Sequence, residues 1–422
     1  MKSTTQADDR SARPIWRDQV FWFAIALGVG YGGIYNFLPA TFPIFVRQFG
    51  SSLPQMGQIQ LLFFFSSLGF SAIGGSFIHR FGLKYSAMVA CVIAATAMLV
   101  VAEAPRFFLV LIGAVMFGFA ISAMVVIDSS IVARHFTERR QSVFLLTGLS
   151  DAGGSMIGPA ALGWWLANST RWGMSWRIGY FFSAAAMGAL LLWALLVRSP
   201  TLKREPPSEF TGQSAGAHTR EVLASGALYV AVVLGFCHGL AQAGMLSFIG
   251  QLYVHKLKID AARAAYFLSG NAAGILSGRF LFGWITARWK VAELVMIGLC
   301  AAAETVAFLG AILAPNYIAG LVMYILAGVF VSTIGPSLNS YLGGKFVKGT
   351  ATAFALFAGL SNLGAAFGPF IIGMIGANAG VAQAILFAPV FSILLSTLAL
   401  LWFLRERVRR GRREMTVSAL PG

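Results

Sequence analysis

Twelve long apolar runs constrain the fold of this 422-residue chain more than any other feature of its sequence. A helix needs about twenty residues to cross the hydrocarbon core of a bilayer, and the runs are of that order or longer. We number them segments 1 to 12 and place them at 20–45, 55–78, 86–103, 107–133, 143–166, 178–198, 226–254, 263–286, 291–313, 316–343, 351–376 and 381–404. The sequence therefore predicts an all-α polytopic membrane protein with twelve transmembrane helices.

Composition agrees with this class. Hydrophobic residues make up 58% of the chain and charged residues only 11%, whereas about a quarter of the residues of a soluble protein are charged. The three cysteines, Cys91, Cys237 and Cys300, lie within apolar segments. We interpret them as small packing residues, because three cysteines cannot form a full disulfide framework.

A motif in segment 5 recurs in segment 11. Gly154, Gly158 and Pro159 return as Gly364, Gly368 and Pro369, at an offset of 210 residues. Two further matches, 27–32 with 234–239 and 75–84 with 283–290, have offsets of 207 and 208. The chain is therefore predicted to form two pseudo-symmetric six-helix bundles, an arrangement that encloses a midplane cavity in many secondary transporters.

The distribution of charge predicts how the bundles are connected and oriented. We expect an N-terminal tail at 1–19, a first bundle at 20–198, a polar linker at 199–225, a second bundle at 226–404 and a basic tail at 405–422. Basic residues are concentrated in the linker, in the C-terminal tail and in the loops after segments 2, 4, 8 and 10. The positive-inside rule therefore places both termini in the cytoplasm of a multi-pass protein of the cell (inner) membrane.

The basic tail, which contains Arg405, Arg407 and Arg409, is predicted to contact anionic lipid. Nucleic-acid binding is the alternative for such a run. The net charge of +16 lies mainly in short loops and tails, so we expect a membrane lipid partner, no nucleic-acid partner and a monomer.

The loop after segment 2 carries a family motif. Gly75, His79, Arg80, Gly82 and Lys84 resemble the G-x-x-x-D-R-x-G-R-K signature of the major facilitator superfamily, with His79 and Leu83 as departures. The Gly-x-x-x-Gly-Pro pattern of segment 5 is similar to the antiporter-associated signature of that family. The resemblance covers all twelve segments and implies transport by alternating access. It also implies that Asp128 is an acidic partner that meets Arg80 or Lys84.

One branch of that superfamily is matched in more detail. Arg279-x-x-x-Gly283 in segment 8 resembles the monocarboxylate and oxalate–formate carriers, in which an arginine at this place binds a carboxylate. Two positions depart from the branch: Ile275 replaces an acid and Ala40 replaces a lysine. Proton coupling of the monocarboxylate type is therefore not implied.

Arg279 is the strongest candidate for binding substrate. A charged side chain in a membrane segment is costly, by about 2.5 to 3.5 kcal/mol on insertion scales, and calls for an explanation. Guanidinium keeps its charge and holds a carboxylate through two parallel hydrogen bonds. The alternatives are a gating or structural ion pair and a side chain that extends to the interface.

Asp151 in segment 5 is predicted to lie at a depth similar to that of Arg279, on one helix face with Gly154 and Gly158. In the resembled fold, segments 5 and 8 touch. We therefore hypothesise that Asp151 pairs with Arg279 in one state of the carrier, and that anion binding or protonation breaks the pair. The alternative is an Asp bonded to its own helix or to Ser150.

Further polar residues complete the candidate cavity. His238, with an ordinary pKa near 6.5, suits a proton site, although a neutral His bonded to a helix neighbour is an equal alternative. The other predicted wall residues are Gln242, one turn from His238, and Tyr31, Tyr35 and Asn36 in segment 1. Glu304, in the middle of segment 9, is expected to carry a proton or to pair inward with segment 7 or 8.

Several classes of function find no support in the sequence. The five histidines are scattered without cysteine partners, and the chain contains no Gly-x-x-x-x-Gly-Lys-Ser/Thr loop. We therefore expect no metal, no cofactor and no enzymatic activity. The leading interpretation is a secondary carrier for a small organic anion, using protons or a counter-substrate. The alternative is a drug or metabolite efflux antiporter.

Overall fold

The computed structural model describes residues 15–136, 140–169, 171–197, 199, 202, 223–289, 291–346 and 350–418. These residues form no strand, and nearly all of them lie in helices. After a short 3-10 helix at Ile15–Arg17, the α-helices are α1 Gln19–Tyr35, α2 Phe37–Phe49, α3 Leu53–Ala102, α4 Phe107–His135, α5 Arg140–Ser169, α6 Arg177–Leu196, α7 Gly226–Leu257, α8 Ala261–Arg288, α9 Glu293–Leu313, α10 Tyr317–Lys345, α11 Thr350–Ala379, α12 Val381–Ala384 and α13 Phe387–Ser418.

These helices account for the twelve predicted segments and confirm the all-α membrane fold. Segment 1 is divided into α1 and α2 at Asn36, because Pro39 has no N–H group to donate to the carbonyl of Tyr35. Segments 2 and 3 are the two halves of α3, separated at Gly82. This residue has φ 81° and ψ 162°, a conformation that needs glycine.

Nine helical stretches of the described residues are long and apolar enough to cross a membrane by length and composition, one of them combining α1 with α2 and another α12 with most of α13. The exceptions among the predicted segments are the first half of α3, α5 and α8. These elements contain more glycine, serine and charged residues, including Asp151 in α5 and Arg279 in α8. The most polar helices are therefore the ones that carry the leading site candidates.

The chain separates into two compact units. Unit 1 comprises Met1–Ser51, Leu62–Glu209 and Asp260–Ser269, and unit 2 comprises Ser52–Leu61, Phe210–Ile259 and Gly270–Gly422. The first turns of α3 therefore group with unit 2, where Gly57 packs against the backbone of Pro369 and Phe370 in α11. The first turns of α8 group with unit 1, where Gly163 of α5 lies against Ala262.

The sequence repeat corresponds to a repeat of helices. α4 and α10 each have 29 residues and start 210 residues apart, at Phe107 and Tyr317. α5 and α11 each have 30 residues and start at Arg140 and Thr350, again 210 residues apart. The two units therefore use the same helix lengths in the same order along this part of the chain.

The duplicated Gly-x-x-x-Gly-Pro motif forms the same crossing in both units. In unit 1, a side chain at Gly154 or Gly158 would overlap backbone atoms of Val29 and Gly33 in α1. In unit 2, a side chain at Gly364 or Gly368 would overlap backbone atoms of Phe236 and Leu240 in α7. Glycine at these positions lets two helices approach at backbone distance. The face that was expected to meet segment 8 thus packs on α1.

Several sequence predictions fall outside the described residues. They are the tail up to residue 14, the linker apart from residues 199, 202 and 223–225, and the end of the basic tail from residue 419. The three cysteines do fall in described helices, where all three are buried and free, as expected for packing residues.

Candidate functional site

A polar cluster lies inside unit 1 between α1, α4 and α5. Asp128 is buried, with 3% of its surface exposed, and its Oδ2 lies 3.5 Å from the hydroxyl of Tyr31. The other carboxyl oxygen, Oδ1, has no hydrogen-bond partner in the described part of the chain. Burying a carboxyl group that is only partly satisfied costs free energy, so its presence calls for an explanation, of which a function is one.

Asp151 belongs to the same cluster. A side chain on Gly32 of α1 would overlap the backbone oxygen of Asp151 and would lie 2.9 Å from its Oδ1. The carboxyl group is within electrostatic range of both Asp128 and Tyr35. The hydroxyl of Ser155, one turn further along α5, donates to the carbonyl oxygen of Gly32. Two acidic groups therefore converge on the C-terminal turns of α1.

Tyr35 and Asn36 extend the polar cluster toward the end of α1. The ring of Tyr35 packs edge-on against Phe63, with centroids 5.7 Å apart. Asn36 is buried, and its Oδ1 has no hydrogen-bond partner among the described residues. Asn36 also forms the break between α1 and α2. Together with Tyr31, these side chains bring hydrogen-bonding groups to one stretch of α1.

The expected contact of Asp128 with Arg80 or Lys84 does not form. Nζ of Lys84 instead donates to the carbonyl oxygens of Leu195 and Val197, at 2.8 and 2.9 Å. Arg80 is exposed, and its guanidinium lies 5.6 Å from the ring centroid of Phe81. The carbonyl groups at the end of α6 have no partners within their own helix. Lys84 therefore caps α6 rather than neutralising Asp128.

In unit 2, Arg279 lies within α8, nine residues before Arg288 and thus roughly 13 Å from the end of the helix. Its side chain is half-buried. Few of the described lysines and arginines lie more than two turns from both ends of their helix. They are the residues around the Gly82 break, those at the basic end of α13, and Arg279.

Close packing of α8 on α10 orients this arginine. Side chains at Gly274 and Gly278 would overlap the backbone oxygens of Ile325 and Val329. On the same face, Nδ2 of Asn271 donates to the carbonyl oxygen of Tyr324 at 3.2 Å. Arg279 follows Gly278, so it leaves the helix about 100° away from this contact face. The side chain of Arg279 therefore starts from a different face of α8 than the glycines that contact α10.

His238 and Gln242 lie one turn apart on α7, and both are half-buried. Nδ1 of His238 is buried and has no hydrogen-bond partner in the described residues. The repeat relates His238 to Tyr31, and the neighbouring Gly239 packs against the carbonyl oxygen of Ser361 as Gly32 packs against that of Asp151. Unit 2 therefore has a serine where unit 1 has this acid.

Glu304 is fully buried in α9, and its partner differs from the expected one. Its Oε2 accepts a hydrogen bond of 2.7 Å from the hydroxyl of Ser392 in α13, rather than from α7 or α8. Oε1 has no hydrogen-bond partner within the described residues. Glu304 thus lies at the packing of α9 on α13. Neither residue type nor spacing indicated Ser392 as the partner, because it is 88 residues away along the chain.

The structure therefore brings Tyr31, Asp128 and Asp151 together in unit 1, whereas Arg279, His238 and Gln242 lie in unit 2. Asp151 and Arg279 each have a partner, and their mutual pairing stays a prediction. In the described residues, no group of three or more His, Cys, Asp or Glu side chains could hold a metal ion. The chemistry available is proton exchange at carboxyl groups and anion binding at a guanidinium.

Solved transporter structures share this fold. The chain is 19% identical to the E. coli fucose:proton symporter FucP, covering 90% of this chain and 98% of that one, with a TM-score of 0.63. It is 13% identical to the nucleoside transporter NupG over 91% and 98% of the two chains, with a TM-score of 0.71. A POT family transporter in complex with 5-aminolevulinic acid matches at 13% identity over 91% and 95%, with a TM-score of 0.73. No curated protein matches the chain.

In the described residues, helices of the same length recur in the two units and carry polar residues inside them, an arrangement typical of membrane transporters. The family model of the Major Facilitator Superfamily matches residues 23–352 and 232–418. The chain belongs to the Major Facilitator Superfamily. Because the three solved transporters are less than 20% identical to this chain, their similarity shows a shared fold and nothing about substrate.

Proposed function

We propose that this protein is a secondary transporter that moves a small organic anion, a mono- or dicarboxylate, across the membrane by alternating access. The proposal depends mainly on Arg279, a cation roughly 13 Å inside α8 in a chain with few charged residues. Its guanidinium retains its charge at any physiological pH and matches a carboxylate in shape and hydrogen-bonding geometry. Tyr31, Tyr35, Asn36, His238 and Gln242 are proposed as further substrate contacts.

The acidic cluster supports a coupling role. We propose that Asp128 and Asp151 exchange protons, or respond to a counter-substrate, as the carrier changes state. The equivalent positions in the second bundle, at the offset of 210, are Leu338 and Ser361. The helix packing that the two units share therefore does not require Asp128 or Asp151. Arg80, Lys84 and Glu304 were also candidates for coupling or gating, and their contacts favour a structural role.

Arg279→Gln and Arg279→Lys test the anion proposal in proteoliposomes with a panel of labelled mono- and dicarboxylates. We expect Arg279→Gln to abolish uptake. Arg279→Lys should retain weak uptake, because lysine keeps the charge but not the two parallel hydrogen bonds. The matched control is Arg288→Gln in the same helix, whose guanidinium is exposed and lies 4.9 Å from the ring centroid of Trp284. Uptake by Arg279→Gln at the wild-type rate would contradict the anion proposal.

A second candidate function is efflux of a drug or metabolite by antiport. The two carboxyl groups beside α1 favour it, because an acidic site suits a cationic substrate or an exchanging proton. The two functions differ in their response to loss of Arg279. An anion carrier fails, whereas a cation exporter keeps its activity and instead loses it on replacement of Asp128 or Asp151.

The membrane arrangement is likewise proposed. Both termini and the linker are placed in the cytoplasm of the cell (inner) membrane, and the protein is expected to act as a monomer. Impermeant thiol reagents test this arrangement, using single cysteines introduced into a cysteine-free variant before residue 19 and within 199–225. Labelling from the outside of intact cells would contradict it. Light scattering of the purified protein tests the oligomeric state.

A further inference from the structure

α13 continues well past the apolar part of the last segment. It runs from Phe387 to Ser418, whereas the predicted segment ends at residue 404. Beyond that point, the side chains of Arg405, Arg407 and Arg409 are exposed. Three more arginines follow on the same helix, at positions 410, 412 and 413. The membrane helix thus carries a rigid basic extension without a turn between the two parts.

The one acid in the first turns of this extension is already engaged. Oε1 of Glu406 accepts from Nζ of Lys345 at 2.9 Å, from the hydroxyl of Tyr341 at 3.0 Å and from Nε1 of Trp402 at 3.2 Å. Lys345 is the last residue of α10, so these contacts fix the basic extension to the end of a neighbouring helix. Glu406 therefore does not neutralise the exposed arginines, and the direction of the helix is set.

The exposed face of the extension changes from apolar to basic over two turns. Leu401, Leu404 and Val408 are 58%, 53% and 56% exposed. At 100° per residue they lie on one stripe of the helix, and Arg405 lies on the same stripe between Leu404 and Val408. The guanidinium of Arg405 is also 4.9 Å from the ring centroid of Trp402. An apolar stripe interleaved with a tryptophan and arginines is typical of a membrane–water interface.

We propose that residues 401–409 of α13 form a binding surface for anionic phospholipid headgroups. The apolar stripe fixes the depth of the helix in the bilayer. The arginines that follow it then lie within a Debye length of the headgroup phosphates. Guanidinium groups bind phosphate oxygens through paired hydrogen bonds. This surface is separate from the substrate site, so the inference does not depend on the anion proposal.

The test measures lipid binding to the full-length purified protein by native mass spectrometry, with phosphatidylglycerol and phosphatidylcholine as the two probes. We expect preferential retention of phosphatidylglycerol that weakens as the ammonium acetate concentration rises. The triple variant Arg405→Gln/Arg407→Gln/Arg409→Gln should weaken the tightest phosphatidylglycerol binding by about fivefold for each arginine removed. The charge-preserving variant with lysine at the same three positions should retain most of the binding.

A matched control distinguishes binding at this surface from a nonspecific effect of the net positive charge. Arg47→Gln/Arg106→Gln/Arg171→Gln removes the same three charges from exposed positions elsewhere, and it should keep the phosphatidylglycerol preference. A melting temperature in detergent equal to that of the wild type confirms that each variant is folded. The proposal is overturned if the α13 triple variant binds phosphatidylglycerol like the wild type, or if both triple variants lose binding equally. It is also overturned if the wild type in phosphatidylcholine nanodiscs binds an oligonucleotide but shows no phosphatidylglycerol preference.

Discussion

The hydroxyl of Tyr31 lies 3.5 Å from Oδ2 of Asp128, and this is the hydrogen bond that the structure gives to the buried carboxyl. A hydroxyl donor usually lies 2.5 to 3.0 Å from its acceptor, so the bond is weak. Leu338 occupies the equivalent position in the second bundle. Helix packing at this position therefore does not require an acid, which favours a role for Asp128 in transport.

Asp128→Asn tests this role. Asparagine has nearly the same shape and can accept the Tyr31 hydrogen bond, but it cannot gain or lose a proton. We predict a melting temperature close to that of the wild type and loss of the response of uptake to a pH gradient across proteoliposomes. Ser130→Ala is the control on the same helix, since the hydroxyl of Ser130 donates to the carbonyl oxygen of Val126, and it should leave the gradient response in place. If uptake by Asp128→Asn responds to a pH gradient as the wild type does, Asp128 has no role in proton coupling.

Asp151→Asn tests the hypothesised pair with Arg279. The change keeps the contact with Gly32 and removes the charge that would attract the guanidinium. We predict normal folding, an altered pH dependence of uptake and a shifted preference between states, because one state has lost its ion pair. Accessibility of single cysteines on the two sides of the membrane measures that preference. Wild-type transport with an unshifted cysteine pattern would contradict the pairing.

Gly158→Ala should destabilise unit 1, because its new methyl group would overlap the backbone of Gly33 in α1. Overpacking costs about 1 to 3 kcal/mol, and a backbone neighbour cannot rotate away. Gly153→Ala is the matched control on the same helix, since no atom lies within 4 Å of its added methyl group. It should be neutral or slightly stabilising, because alanine favours a helix over glycine. Melting temperatures in detergent compare the two variants, and equal values would contradict the crossing.

The repeat and the apolar runs made the fold predictable. The offset of 210 found in Gly154 and Gly364 is also the offset of whole helices, and Gly82 marks the break within α3. Gly154 and Gly158 pack on α1, whereas α5 contacts α8 further along, at Gly163 and Ala262. A helical period identifies which residues share a face, but it does not determine which neighbouring helix that face meets.

The contacts of charged residues were harder to predict. Lys84 was expected to meet an acid, yet it bonds to the carbonyl groups at the end of α6. Every residue has a carbonyl group, so residue types give no signal for such an acceptor. Glu304 and Ser392 come together only through the packing of α9 on α13. Sequence can identify a costly ionisable residue, whereas its partner depends on tertiary structure.

Lys84→Met should destabilise the protein modestly by leaving the carbonyl oxygens of Leu195 and Val197 without their donor. We predict a loss of about 1.5 kcal/mol, at the low end for a charged donor because one of the two bonds is exposed to solvent. Lys256→Met should behave alike, since Nζ of Lys256 donates to the carbonyl oxygens of Ile312 and Ala314. Arg80→Gln is the control and should leave the melting temperature unchanged. A similar loss in Arg80→Gln would indicate that charge in this loop, rather than capping, is responsible.

Glu304→Gln separates a packing role for this residue from a coupling role. Glutamine retains a carbonyl oxygen for the hydroxyl of Ser392, so we predict nearly normal stability and an unaltered response to a pH gradient. Glu304→Ala should cost about 2 to 4 kcal/mol, because it removes the hydrogen bond and leaves a cavity. In a double-mutant cycle of Glu304→Ala and Ser392→Ala, the effects on the free energy of unfolding should differ from additivity by at least about 0.5 kcal/mol.

Ser396→Ala is the matched control for that cycle. Its hydroxyl donates to the carbonyl oxygen of Gly298 in the same α9–α13 interface, so its effect should add to that of Glu304→Ala without coupling. Loss of the gradient response in Glu304→Gln at full stability would instead place Glu304 in the coupling machinery. Such a result would require a proton path to a carboxyl group that is fully buried between α9 and α13.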